Sequence, residues 1–155
     1  MLVLDSYNRK LLKALQADSR KTVQEYADLI GLSATPTARR LKMLEEQGYI
    51  KKHVAVLDAE KLGLKTTLFV SIKTRHHDDE WLERFSKGVA RIPEVVEFYR
   101  MGGDIDYLLK VVLPQITDYD DVYKRIISIA PLSEMSAYFA MEAIKNTTQL
   151  PIDAV

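Results

Sequence analysis

The sequence predicts an α+β protein built in two parts, a helical first third and a longer remainder in the order β-α-β-β-α-β. Three observations carry the prediction. Helix-capping residues and apolar residues at helical spacing recur through residues 4–48. Apolar strand patterns alternate with amphipathic helix patterns from residue 66 onward. The charge divides in the same region: the 155 residues are neutral overall, but residues 1–52 carry 10 Lys and Arg against 6 Asp and Glu, and residues 53–155 carry 12 against 16.

Asp5 is placed to cap a first helix whose Leu4, Leu11, Leu12 and Leu15 share one side, with Arg9, Lys10 and Lys13 opposite. Thr22-Val23-Gln24-Glu25 has the pattern in which a hydroxyl and a carboxylate reciprocally satisfy free amides at a helix start. Val23, Tyr26, Ala27 and Ile30 are then the expected buried face of a second helix. Gly31 is suited to end it in the left-handed conformation, and Ser33 to cap the next. A third helix is expected from Ala34 to about Gln47, with Pro36 tolerated in its first turn, Leu41 and Leu44 inward, and Gly48 ending it. Three short helices with a tight second turn make a helix-turn-helix. Thr37 occupies a position where an apolar side chain is more usual, so it is left out of the candidate contacts.

A helix enters the DNA major groove with its N-terminal turns against the base edges, which makes Ala34, Thr35, Ala38 and Arg39 the candidate readers. Arg39 can present two parallel donors to guanine, Thr35 can bond a base or a phosphate, and Ala38 can touch a thymine methyl. Arg40, Lys42, Lys51 and Lys52 are expected at the phosphate backbone, with one alternative for Arg40, a carboxylate of its own domain. With Ser33 at the helix start, Thr35, Ala38, Arg39, Arg40, Lys42, Lys51 and Lys52 form the expected DNA-contacting set.

Tyr49 to Leu57 alternates enough to suggest a short wing or hinge strand, and Gly63 breaks the pattern again. The expected division is 1–57 for DNA binding, 58–65 as hinge and 66–155 as the second domain. Within the latter the pattern gives strands at 66–74, 95–101, 107–113 and 134–144, and helices at 79–92 and 117–130. Leu82, Phe85, Val89 and Ile92 recur at helical spacing, as do Tyr119, Val122, Tyr123, Ile126 and Ile127. Both helices are expected on one face of a four-stranded antiparallel, ferredoxin-like sheet. The other face, carrying Phe69 or Leu68, Phe98 and Phe139, is expected to meet a second copy of the chain.

The chain has no Cys, which excludes disulfides, thiolate nucleophiles and Cys-based zinc or iron-sulfur sites. No apolar run of about 18 residues and no leader pattern is seen, so a cytoplasmic, nucleoid-associated protein without a membrane partner is expected. Two competing readings are a small ferredoxin-like enzyme and a module that binds protein or RNA instead of duplex DNA. Against the first, no phosphate loop, HExxH helix or Ser-His-Asp set is evident. His76-His77 beside Asp78, Asp79 and Glu80 is read as a solvated loop, because adjacent residues on extended chain point to opposite sides. No metal and no cofactor are expected.

Several ordered motifs resemble the Lrp/AsnC family (leucine-responsive regulatory protein / asparagine regulator) over essentially the whole chain. They are LDSYNRKLLKALQADSR at 4–20, GLSATPTARRLKMLEEQGYI at 31–50, LDAEKLG at 57–63, PEVVEFYRMGGDIDYLLKV at 93–111 and FAMEAIKNTTQLP at 139–151. The resemblance implies a winged helix-turn-helix joined to a ferredoxin-like effector domain, dimers that assemble into octamers on double-stranded DNA, and an amino-acid effector bound between dimers. It implies that Gly103-Asp104-Ile105-Asp106 is the family's Gly-x-x-Asp effector loop, with Met101, Gly102 and Ser136 as neighbours. Glycines there expose backbone groups to a ligand's carboxylate and amine, and Asp106 can pair with an ammonium or orient the loop. Where many relatives have two serines before the last apolar strand, this chain has Ala137 and Tyr138. The stretch IKTRHHDDEW at 72–81 is most similar to a branch that includes cysteine-responsive regulators, which implies a sulfur amino acid as effector.

Overall fold

The computed structural model describes residues 4–154; the outer limits expected for the two domains, residues 1 and 155, fall outside them. The chain folds into two compact units, one running to Val56 and including the described residues from Lys145 on, the other spanning Leu57–Ile144.

The first unit contains α1 (Ser6–Ala17), α2 (Val23–Ile30) and α3 (Ala34–Glu46). Each starts where the local chemistry dictates. The Asp5 carboxylate accepts the Asn8 N–H at 2.8 Å and opens α1. At α2 the Thr22 N–H donates to Glu25 Oε2 at 2.6 Å while the Glu25 N–H donates to the Thr22 hydroxyl. Gly31, at φ +74°, turns the chain, and its N–H and that of Leu32 both donate to the Ala27 carbonyl at 3.0 Å. Leu11, Tyr26, Ile30 and Leu44 form the buried centre, with Leu12, Leu15, Leu41 and Ile50 packed around it. Val23, expected inside, lies in the first turn of α2 and is exposed.

Ser33 stands at the start of α3 but its hydroxyl makes no capping bond. Such a cap accepts from the second or third amide of the helix, and Pro36, the third residue, has no N–H, which removes one of the two donors. The Ser33 carbonyl instead accepts from the Thr37 hydroxyl at 2.9 Å, and Thr37 is fully buried. Residues 50–58 contain no strand; the expected wing or hinge strand has no ladder partner among the described residues.

The second unit contains β1 (Thr66–Lys73), α4 (Asp79–Val89), β2 (Val95–Arg100), β3 (Tyr107–Leu113), α5 (Tyr119–Ile129) and β4 (Glu134–Phe139), with a short 3-10 turn before α5. The strands form one antiparallel sheet in the order β2-β3-β1-β4. Leu68, Val70 and Ile72 of β1 and Tyr107, Leu109, Val111 and Leu113 of β3 are buried beneath Trp81, Phe85 and Val89 of α4 and Val122 and Ile126 of α5. Tyr123 and Ile127, expected in this core, are exposed, whereas Trp81 belongs to it.

The register decides between Phe69 and Leu68 in favour of Phe69 and corrects two residues assigned to the uncovered face, Phe98 and Phe139. Leu68 is buried under the helices, Phe98 packs edge-on against Phe85, and Phe139 pairs with Leu68 and so shares its side of the sheet. The uncovered face is carried by Phe69 and Ser71 of β1, Leu108 and Lys110 of β3, Glu97 and Tyr99 of β2, and Ser136 and Tyr138 of β4, which face one another in register. β4 ends at Phe139, five residues before the expected Ile144, and the Ala140 N–H makes a final bond to the Thr67 carbonyl. The division of the chain therefore differs from the expected one at two places: residues from Leu57 group with the sheet, and residues from Lys145 group with the three helices.

Candidate nucleic-acid interface and effector loop

On α3, Thr37 and Leu44 are buried while Thr35, Ala38, Arg39 and Lys42 are exposed, so the candidate readers share the solvent side of the helix. Arg39 forms no ion pair among the described residues, and neither do Lys51 and Lys52, which lie exposed just beyond the helix. Lys42 is loosely paired with Glu46 at 3.7 Å, on the same exposed surface. Ser33 is exposed at the helix start with its hydroxyl not used as a cap.

Arg40 is different. Its guanidinium donates to Asp5 Oδ2 at 2.7 Å and to Asn8 Oδ1 at 2.8 Å, and lies over the Tyr7 ring at 5.2 Å. This takes Arg40 out of the expected phosphate-contacting set and makes it the brace between α1 and α3, the alternative that its sequence also allowed. Burial works to raise the Asp5 carboxyl, but the Asn8 amide and Arg40 prevail and hold it below 3.8. Asn8, which no motif singled out, is buried at 1% exposure. Its signal in the sequence was only its position, one turn after the capping Asp5. Arg20 is likewise engaged with Asp18, whose carboxyl Arg20 draws down to about 2.

The tip joining β2 to β3 carries the second candidate site. Met101 N–H donates to the Asp106 carbonyl at 2.8 Å, closing the hairpin, and Gly103 takes φ +121°, a conformation that a side chain would strain. Asp106 then fastens the tip to the end of β1 twice: its N–H donates to the Ile72 carbonyl at 2.9 Å, and its Oδ2 accepts the Thr74 N–H at 2.8 Å. Of the two roles open to this carboxylate, the geometry displays the orienting one. Met101, Gly102, Gly103 and Asp104 are exposed around it.

Ser136 is not brought to this hairpin. It lies on β4, paired with Ser71 of β1, and so stands two strand spacings or roughly 10 Å across the sheet from the β3 arm of the hairpin, which carries Asp106, and one spacing further from the β2 arm. Nearer the fastening point, Arg75, His76, Pro131, Leu132 and Ser133 line a shallow recess. Among the described residues no cluster of three or more His, Cys, Asp or Glu is arranged to hold a metal ion, and no helix is long and apolar enough to cross a membrane.

On the uncovered sheet face, Lys110 pairs with Glu97 at 3.1 Å and the Tyr99 hydroxyl donates to the same carboxylate at 2.8 Å. Tyr99 and then Lys110 hold the Glu97 carboxyl down against its burial. Phe69, Tyr99 and Tyr138 surround this pair at 38%, 51% and 61% exposure.

Residues 4–51 match the winged helix-turn-helix DNA-binding family, and residues 67–150 match the Lrp/AsnC ligand-binding domain. The chain is 47% identical to the DNA-binding transcriptional activator DecR of Escherichia coli, over 97% of its own length and 100% of that protein. Among solved structures, an AsnC family transcriptional regulator of Agrobacterium tumefaciens is 52% identical and superposes with a TM-score of 0.94, covering 97% of this chain and 98% of that one. A transcriptional regulator of Neisseria meningitidis, solved as a complex with L-Met, is 29% identical with a TM-score of 0.93 over 98% and 99% of the two chains.

Proposed function

The chain belongs to the Lrp/AsnC family of DNA-binding transcription regulators, and from that premise we propose that it reads its operator with α3 and adjusts its grip when an amino acid binds beside the 101–106 hairpin. The observation that carries the reading is the division of labour among the cations of the first unit. Arg40 is spent inside the fold, whereas Arg39, Lys42, Lys51 and Lys52 present exposed charge on and just after one helix.

Arg39 is the base-reading side chain, Thr35 and Ala38 its neighbours in the groove, and Lys42, Lys51 and Lys52 the phosphate contacts, with Ser33 at the helix start. Replacing Arg39 with Ala should cost about 1–3 kcal/mol on the operator and relax preference at one base pair. Equal losses on operator and random duplex, measured by fluorescence anisotropy, would remove Arg39 from that role.

For the effector, the glycines at 102 and 103 leave backbone groups accessible while Asp106 holds the hairpin in place. An amino acid is the expected class, and a sulfur amino acid the first to try, since the structurally similar Neisseria regulator was solved with L-Met. Because β1 lies between Ser136 and the hairpin's β3 arm in one chain, a second chain is the natural way to complete a site. Two copies joined through the Phe69 and Tyr138 face, further assembled to an octamer, would supply it, and the effector would act by favouring one assembly over another. Such a regulator works by binding and not by turnover, on the nucleoid in the cytoplasm.

The test is a titration of the protein onto duplex DNA from upstream of its own gene, at several salt concentrations, with and without each of the common amino acids. Saturable, salt-dependent binding shifted by one amino acid is the expected result; binding no better than to random duplex overturns the operator reading, and indifference to every amino acid overturns the effector reading.

A further inference from the structure

The chain crosses between its two units twice, once after Val56 and again between Ile144 and Lys145. The second crossing ends in a specific docking. Gln16 of α1 clasps the peptide group of Leu150: the Leu150 N–H donates to Gln16 Oε1 at 2.6 Å, and Gln16 Nε2 donates to the Leu150 carbonyl at 3.2 Å. That is the pairing one strand offers another, supplied here by one side-chain amide. One turn before Gln16, Lys13 pairs with Asp153, within the single 3-10 turn Ile152–Ala154 that lies against α1.

The partner helix is the one that braces α3. Asp5 and Asn8, which hold Arg40, stand at the start of the same α1 that carries Lys13 and Gln16. A continuous set of contacts therefore runs from the tail, through α1, to the helix that carries the DNA readers. The other end of the tail is the last ladder bond of the sheet, from the Ala140 N–H to Thr67. None of the intervening residues 141–149 forms a helix or strand.

We infer that residues 145–154 are a strap through which the state of the effector-binding unit reaches the reading helix, closing on α1 when DNA is held. The inference rests on α3 being the DNA-reading helix. It adds a route of communication separate from the 50–58 segment. Each contact is partly exposed, so each is individually worth a modest free energy. A strap of that strength can open and close in use.

Coupling of this kind is reciprocal: whatever DNA does to the strap, the strap must do to DNA affinity. The full-length protein is the object of the experiment, and the probes are duplex DNA from upstream of its own gene and random duplex of equal length. Hydrogen exchange at the Leu150 amide, followed by NMR, is expected to be slower than in the free peptide 141–154, and slower again by threefold or more with saturating duplex. Gln16→Ala should remove the protection and weaken binding to the duplex by the same factor. Gln16→Glu, which keeps the acceptor for Leu150 N–H and loses the donor, should fall between. Unchanged α-helical circular dichroism in both variants confirms that the helical unit is folded, and the Lys13→Gln variant repeats the test away from Gln16.

The inference is overturned if Leu150 exchanges as fast as in the free peptide, or if Gln16→Ala and Lys13→Gln lose Leu150 protection yet bind the duplex with the parent's affinity. Failure of the parent to prefer its own upstream duplex over random DNA would instead count against the operator reading, since the exchange at Leu150 is measured without DNA as well.

Discussion

Arg39 and Arg40 are adjacent in sequence and opposite in use. Arg39 points to solvent, while Arg40 joins α1 to α3 through Asp5 and the buried Asn8. Replacing Arg40 with Ala should destabilise the helical unit by about 1–3 kcal/mol, because it withdraws a charged donor from a buried amide. Lys at that position is expected to recover only part, since its shorter side chain must reach where one guanidinium nitrogen bonds both Asp5 and Asn8, and it has no planar group to lie over the Tyr7 ring. DNA binding by Arg40→Ala should weaken in proportion to the unfolded fraction with its salt slope unchanged, whereas Lys51→Ala should lower the salt slope by about one without affecting stability. Denaturant titration and salt-dependent binding separate the two. Acid behaves in a related way. The carboxyls of Asp5 and Asp18 titrate below their ordinary 3.8 in the folded chain, Asp18 near 2. Their contribution is present above pH 3.8 and is lost as pH falls through the folded values. Chemical denaturation should show the helical unit weakening below about pH 4, and Asp5→Asn should flatten that dependence.

At the scale of elements, much of the plan was legible from caps and periodicity. Asp5, the Thr22–Glu25 box and Gly31 act locally, within a few residues of chain, and so their positions in the sequence declare their roles. What periodicity missed was decided by longer-range geometry. The side of the sheet on which Phe98 and Phe139 lie depends on strand register, which alternates with every residue. The missing cap at Ser33 goes with Pro36, which takes away the third-position donor, a feature visible in the sequence once the donors are counted. Ser136 was placed beside the hairpin by resemblance, yet strand order sends it to the other edge. Where α4 meets α5, Gly88 supplies a further test. A Cβ there would stand 2.6 Å from Ile129 Cγ2. Gly88→Ala should cost about 1–3 kcal/mol from overpacking, less about 1 kcal/mol of gained helix propensity. With Ile129 also replaced by Ala the clash is gone, and the same Gly88→Ala change should then stabilise that background. Thermal unfolding of the four combinations reads the change of sign.

For the whole molecule, the uncovered sheet face is the one proposed to meet a second copy. Its aromatic groups Phe69, Tyr99 and Tyr138 surround the Lys110–Glu97 pair, which a second copy would shield from water. Phe69→Asp should place a charge in that contact and shift sedimentation toward monomer, while leaving the circular dichroism of the folded chain intact. An unchanged sedimentation coefficient would remove this face from the interface. Such a monomer should also bind operator DNA far more weakly, because two linked reading helices gain from an effective concentration that one alone lacks.

The fastening of the 101–106 hairpin has a consequence in time. Asp106 pins the tip to β1 through its N–H and its carboxylate, with bonds made entirely within the chain. A molecule docking there finds the backbone already set, and little chain entropy is spent on arranging it. With the proposed effector there, capture is governed by encounter and departure by the contacts made, and the response to a rising metabolite does not wait for a loop to fold.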